Sequence, residues 1–414
     1  MSPADTARLA SLDKQRLWHP FTPMSEWCAP EAEPLILVAG QGSMLRDSEG
    51  REYIDGNSSI WTNIHGHNHP AINAAIRGQL DKVAHTSFLG FTNPPAIELA
   101  DALVKIAAPG VLTRVFYADD GSTAIEVAIK LAIQYFQLTS QPHRARFVAF
   151  ENAYHGDTLG AASLGGIGLF HAQFSRHHFP TEHVASIAAL EALPEPATVA
   201  AVVIEPLIQG AAGMRPWPAG TLAAARRWCD RHGALLIADE VMTGFGRTGA
   251  MFAFQQEEAV PDFLALAKGL SGGYLPLAAT LITERIFEAF LGHTFYYGHS
   301  FCGNQLGCAA ALASLRLFEE EAVLARLEPK ILQLAGLLEN LRGNPRVREI
   351  RQCGLIAGIE LDRPAAPACL AARRHGLLTR PILNTVVLMP PLCVTAEELE
   401  RAVRAIELAL GSLT

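Results

Sequence analysis

The stretch "VAAVVIEPLIQGAAGMRPWPAGTLAAARRWCDRHGALLIAD" (residues 199–239) sets two short apolar runs on either side of an amphipathic segment. Neither "VAAVVIE" nor "ALLIAD" alternates polar with apolar residues, so each reads as a strand buried on both faces. The intervening "AGTLAAARRWCDRHG" reads as a helix closed by Gly233. A strand–helix–strand unit of this kind implies parallel pairing with a right-handed crossover. The runs "RVFYA" and "RFVAF" upstream have the same unalternating character. The fold class is therefore α/β, built on a largely parallel sheet.

The organisation follows outward from that unit. Residues 1–64 hold short strand-like pieces, with "DSEGREY" as a hairpin turn. Residues 65–315 alternate helical patterns with buried apolar runs and form the large domain. Residues 316–414 form a small α+β domain, to which the N-terminal strands are expected to add. A single long helix is expected over "ALASLRLFEEEAVLARLEPKILQLAGLLENLRG", and a last helix starts at Thr395 with Glu398 in capping-box position.

At 414 residues, 50% hydrophobic and 18% charged, the chain is long enough for a large domain and a smaller one. Its net charge of −8 argues against a nucleic-acid surface. No apolar run is long and charge-free enough to span a bilayer, and the N-terminus has no apolar signal region. The seven cysteines are odd in number and lack a C-x-x-C pair, which points away from disulfides and zinc and towards a reducing cytoplasm. His65, His67 and His69 in "HGHNHP" alternate, but with no carboxylate or cysteine nearby in sequence they read as a turn before a helix.

Four signals fall at successive strand ends, where open α/β sheets bind ligands. Asp239 follows "ALLIA"; alone it could equally cap a turn. Lys268 follows "DFLALA" within the apolar, glycine-rich "LALAKGLSGGYLPLAA" (residues 264–279). Its ordinary reading is a lysine snorkelling from a core edge; its chemical reading is a desolvated, nucleophilic amine. "DDGSTAIEVAIKLA" places Gly121 and Ser122 at a helix N-terminus, a simple cap or an anion site. Tyr154 and His155, in a glycine-containing turn after "RFVAF", either pack a loop or offer a platform for a planar ring. Taken together, an amine, a carboxylate, an anion cup and a ring platform match what pyridoxal phosphate requires.

These blocks, with "VVIEPLIQGAAGM", "LIADEVMTGFGRTG" and "YYGHSFCGNQLGCAAALASL" in the same order, resemble the class III aminotransferases of fold type I over nearly the whole chain. The resemblance implies a large domain with a mostly parallel seven-stranded sheet flanked by helices, a small α+β domain, and pyridoxal 5'-phosphate as cofactor. It implies Lys268 as Schiff-base lysine and proton shuttle, Asp239 as partner of the pyridine nitrogen, and Tyr154 near the ring. Gly121, Ser122, His155 and Glu205 join the cofactor-binding set. Gly298, His299 and Ser300 would complete the site from a neighbouring subunit, implying a homodimer. No metal ligand is implied.

Within the class, "LWHPFTPM", "DGNSSIWTNIHGHNHP" and "TRP…VVLMPP" resemble the branch that aminates 8-amino-7-oxononanoate in biotin synthesis. That likeness implies Arg380 on the substrate carboxylate, with Phe21, Ile60 and Trp61 along its apolar channel. Ala211 replaces a glutamate usual in ornithine- and GABA-type relatives. Phe21 and Ile60 stand where a tyrosine and a tryptophan are common in S-adenosylmethionine users. They match the Bacillus-type branch associated with lysine, so both donors stand open here. The alternatives are an ω-amino-acid:pyruvate aminotransferase and a non-catalytic cofactor-binding homologue.

Overall fold

The computed structural model describes residues 1–413. At its centre lies a seven-stranded sheet in the order Leu112–Ala118, Ala278–Thr283, Phe263–Leu266, Leu235–Asp239, Val199–Ile204, Arg146–Phe150 and Thr181–Val184. Ala278–Thr283 runs antiparallel to both neighbours, and the remaining pairings are parallel. The strands that end at Ala118, Phe150, Ile204, Asp239 and Leu266 therefore all finish on one edge of the sheet. The strands Val199–Ile204 and Leu235–Asp239 pair in register, Ile237 opposite Val203 and Ala238 opposite Ile204. Both are buried throughout, as unalternating apolar runs require.

The helix between them, Thr221–His232, buries Leu222, Ala225, Trp228 and Cys229 against the sheet. It ends at Gly233, whose φ of 67° is the left-handed conformation that stops a helix. The opposite face of the sheet is covered by Gly121–Leu138, which buries Ala124, Ala128, Leu131 and Ala132.

Two four-stranded sheets flank this core. In one, Leu37–Gln41, Met44–Asp47 and Glu52–Asp55 are joined by Leu377–Leu378. Its hairpin turns where the Asp47 carboxylate accepts from the N–H groups of Glu49 (3.0 Å) and Arg51 (2.9 Å). The other comprises Val347–Cys353, Ile356–Leu361, Thr385–Leu388 and Pro381–Ile382. The last helix, Ala396–Ser412, starts in the expected capping box between Thr395 and Glu398.

The single long helix expected after residue 310 is broken. Gln305–Glu320 stops, Ala322 turns through a positive φ of 48°, and a second helix runs from Leu327 to Glu339. The Val323 N–H returns to the Phe318 carbonyl at 3.0 Å, closing the first helix without the glycine that usually marks such an end. Glu321, at the break, pairs with His69 at 3.0 Å. Among the described residues no helix is long and apolar enough to cross a membrane.

Candidate active site

A cavity of about 1020 Å³ opens at the carboxyl edge of the large sheet. The strand ends supply its floor: Gly121 and Ser122, Tyr154 and His155, Glu205, Asp239, and Lys268 all line it. Phe21, Ile60, Trp61 and Arg380 line it from elements outside the sheet. Gly298, His299 and Ser300 do not line this cavity. His299 does touch a lining residue: its Nδ1 is 3.0 Å from Asp119 Oδ2, and its Nε2 is 3.0 Å from the Tyr297 hydroxyl.

Lys268 sits directly after the buried strand Phe263–Leu266, at a left-handed backbone position with φ 43°. Among the described residues its amine makes no hydrogen bond or ion pair; it lies 4.8 Å over the Trp61 ring. Burial pushes the Lys268 amine below the ordinary lysine value, and Asp239 and Glu205 only partly oppose this. Gly273 lets the backbone pass beside it: a Cβ there would come within 2.7 Å of the Asn63 backbone.

Asp239 is buried and spends both oxygens. Oδ2 faces His155 Nδ1 at 2.7 Å, and Oδ1 accepts from the Val241 N–H at 3.1 Å. Glu205 accepts from the N–H groups of Tyr154 (3.2 Å) and Gly210 (2.9 Å), tying two loops together. Burial, reinforced by Asp239, lifts its carboxyl to about 7, against the opposing pull of His155 and those two N–H groups. The Tyr154 hydroxyl donates to Asp157 at 2.7 Å, and burial raises its pKa.

The anion cup has the local build expected of it. Asp120 caps the helix by accepting from the Thr123 N–H at 2.9 Å. Among the described residues this leaves the N–H groups of Gly121 and Ser122 without a protein acceptor. A Cβ on Gly121 would press within 2.6 Å of Val241, and one on Gly156 (φ 125°) within 2.3 Å of Ser122 Oγ. Both glycines hold the cup open beside Val241 and Ser122.

Ile60 and Trp61 reach the cavity on an unusual backbone. Ser58, Ser59, Ile60 and Trp61 all have positive φ, between 45° and 67°, a full left-handed turn without glycine. Left-handed residues cost about 1–2 kcal/mol each, so the turn must be held from outside. Asp55 does so by accepting from the Ser59 N–H (3.0 Å) and the Ser59 hydroxyl (2.8 Å). The Ser58 hydroxyl donates to the Met389 carbonyl at 2.6 Å, and Trp61 Nε1 donates to Asn57 Oδ1 at 2.8 Å.

The histidines of "HGHNHP" are engaged structurally. His65 meets the Ser314 hydroxyl at 3.0 Å, and burial pushes its pKa down to about 3. His69 caps the helix Pro70–Leu80. His67 faces Asp55 at 2.9 Å.

Several residues that line or support the cavity were not singled out from sequence: Val241 and Phe170 line it, and Asp55 holds one of its walls from outside. Val241 sits two residues beyond Asp239, a proximity that was a usable signal. Phe170, edge-on between Phe21 (5.8 Å) and Tyr154 (6.0 Å), lies in the four-residue helix Gly168–His171, too short for a periodicity to mark it. Asp55 ends a strand of the N-terminal sheet, far in sequence from the lysine.

Known proteins share the fold and much of the sequence of this chain. The chain is 46% identical to the adenosylmethionine-8-amino-7-oxononanoate aminotransferase of Geobacter sulfurreducens, covering 99% of each. It superposes on the crystal structure of the enzyme of that name from Methanocaldococcus jannaschii with a TM-score of 0.94, 38% identity, and 98% and 99% of the two chains covered. An amine transaminase from an uncultivated Pseudomonas species, solved in its PLP-bound form, matches with a TM-score of 0.88 at 34% identity over 96% and 98% of the two chains. The family model described as aminotransferase class-III matches residues 28–410, a span that takes in every strand end around the cavity, and the chain belongs to that family.

Proposed function

We propose that the chain transfers the amino group of S-adenosylmethionine to the ketone of 8-amino-7-oxononanoate, giving 7,8-diaminononanoate. Pyridoxal phosphate is its cofactor. The observation that carries this reading is likeness over the full length of relatives named for that reaction. The cavity supports it, being large and mostly apolar in its walls, with Arg380 lining it free of any ion pair among the described residues.

The residues present fit the cofactor: N–H groups at Gly121 and Ser122 without a protein acceptor among the described residues for phosphate, a buried carboxylate at Asp239 for the pyridine nitrogen, and a buried amine of lowered pKa at Lys268. Bound there, pyridoxal phosphate supplies an aldehyde that condenses with primary amines and a ring that takes up electrons when a neighbouring C–H bond breaks. With the cofactor bound, Lys268 Nζ would be the base that takes the proton from the donor's amine-bearing carbon and the acid that gives it back. Burial lowers the pKa of that amine, which favours its uncharged form. Asp239, oriented by His155, keeps a proton at the ring nitrogen. Arg380 lies exposed at the rim, without an ion pair among the described residues, and takes the carboxylate of the keto acid. Phe21, Phe170, Tyr154 and Trp61 give aromatic faces to a sulfonium or adenine, so Ile60 does not leave the site without them.

A homodimer belongs to this reading. Gly298, His299 and Ser300 are placed beside, not in, their own chain's cavity, which suits a role in a partner's site. The unpaired cysteines fit a reducing cytoplasm.

The test resolves the donor. The holoenzyme is mixed with S-adenosylmethionine or with lysine, and conversion of the cofactor to its amine form is followed by absorbance. 8-amino-7-oxononanoate is then added and 7,8-diaminononanoate sought by mass spectrometry. S-adenosylmethionine is expected to convert the cofactor and lysine to leave it unchanged. Conversion by lysine alone overturns the donor, and absence of the diamine with either overturns the acceptor.

A further inference from the structure

We propose that Asp55 is a positioning residue that sets substrate specificity, by holding the left-handed turn Ser58–Trp61 in place as one wall of the cavity. This rests on the acceptor assigned above but concerns a residue that touches neither substrate nor cofactor.

Three observations converge on it. The turn is a run of four left-handed non-glycine residues, one of them β-branched Ile60 with φ 66°. Such a run does not persist unless its surroundings over-determine it. The turn also carries function, because Asn57, Ile60, Trp61 and Thr62 all line the cavity and Trp61 lies under the Lys268 amine. Finally, Ser59 and Ile60 are exposed, so packing does not fix them. The carboxylate of buried Asp55 binds the middle of the turn twice, through the Ser59 N–H and hydroxyl.

Asp55 is itself oriented by a hydrogen-bonded chain. The Gly66 N–H donates to Asn63 Oδ1 at 2.7 Å, which fixes that amide. Asn63 Nδ2 then donates to His67 Nδ1 at 3.2 Å, which makes Nδ1 the acceptor and Nε2 the donor of that ring. His67 Nε2 donates to Asp55 Oδ2 at 2.9 Å. An asparagine at position 55 keeps one acceptor for Ser59 and turns its amide against the His67 N–H.

The experiment compares the wild-type holoenzyme with Asp55→Asn, Asp55→Asn/Ser59→Gly and Ser59→Ala. Hydrogen exchange is read at residues 58–62, together with the KM and kcat for 8-amino-7-oxononanoate and the absorbance of bound cofactor. For Asp55→Asn, exchange at Ser59, Trp61 and Thr62 should quicken at least about tenfold. The KM should rise about tenfold, with kcat and cofactor absorbance held near wild type. Glycine at 59 accepts the left-handed conformation without strain, so the double variant should recover part of the KM. If Asp55→Asn does not fold, Ser59→Ala, which removes one of the two bonds at an exposed position, should raise KM about threefold. Unchanged exchange, or faster exchange with unchanged KM, overturns the proposal, as does loss of cofactor absorbance in a folded Asp55→Asn. Should the wild type fail to use 8-amino-7-oxononanoate, the acceptor assignment falls while the exchange data still decide on Asp55.

Discussion

Burial of Lys268 lowers the pKa of its amine, and that has a measurable consequence. Only a neutral amine attacks an aldehyde, and burial lowers this one from the ordinary value of 10.5. The neutral fraction rises with pH and saturates above the group's pKa. The rate at which apoenzyme takes up pyridoxal phosphate should therefore rise with pH and level off below 10.5. Lys268→Ala should remove the covalently bound cofactor's absorbance and cut turnover at least about a thousandfold, since a proton shuttle and nucleophile are lost together. Stopped-flow absorbance and steady-state assays check the two halves. At this scale the site was largely legible in the sequence. Lys268, Asp239 and Glu205 follow apolar runs directly, and Tyr154 and Ser122 lie four residues beyond the ends of two others, so strand ends and chemistry are read together. Asp55 and Phe170 were not legible, because what they do depends on contacts that sequence spacing does not encode.

Strand ends also carry charge that is costly to bury. Glu240 follows the strand Leu235–Asp239 and accepts from the N–H groups of Ala253 (2.7 Å) and Phe254 (2.6 Å), anchoring the turn Ala253–Glu257. Burial raises its carboxyl from 4.5 to about 7, despite those two donors. The folded state thus holds this proton more tightly than the unfolded chain. The resulting stability is fully present below pH 4.5 and is lost as the pH climbs through about 7. Glu205, raised to about 7 likewise, acts with the same sign. Urea unfolding should show wild-type stability falling between pH 4.5 and 8, and Glu240→Gln should remove about half of that fall, on the order of 2–3 kcal/mol. A wild type equally stable at both ends would contradict it. At the element scale the sequence was legible wherever a cap or a glycine marked a boundary, as at Gly233 and Thr395. It misled at Ala322, where helical periodicity continues through a turn closed by the Val323 N–H and by the pairing of Glu321 with His69.

The whole molecule ties its distant parts together beneath the cavity. Arg247 is fully buried and donates to the carbonyls of Pro390 (2.7 Å) and Asn63 (2.6 Å), joining the large sheet's loops to both the early and the late chain. Burial pushes it down to about 9. On the outside, by contrast, large apolar side chains remain open. Trp18 and Tyr296 are 87% and 91% exposed, and Leu89, Phe91 and Phe301 are exposed as well. The loops that bear the last three are joined, since Asn93 Nδ2 donates to the Gly303 carbonyl at 3.0 Å and the Phe301 ring lies 4.4 Å from that of His85. An apolar surface of this kind beside residues 298–300 is what a second copy would cover. Sedimentation of the wild type should give a dimer. Phe91→Glu/Phe301→Glu, which would bury like charges at the contact, should sediment as a monomer. If the partner's 298–300 loop completes the phosphate site, that monomer should also bind cofactor at least about tenfold more weakly and lose most of its turnover. A monomeric wild type with full activity, or a monomeric variant that keeps both cofactor and turnover, would show each cavity to be complete within one chain.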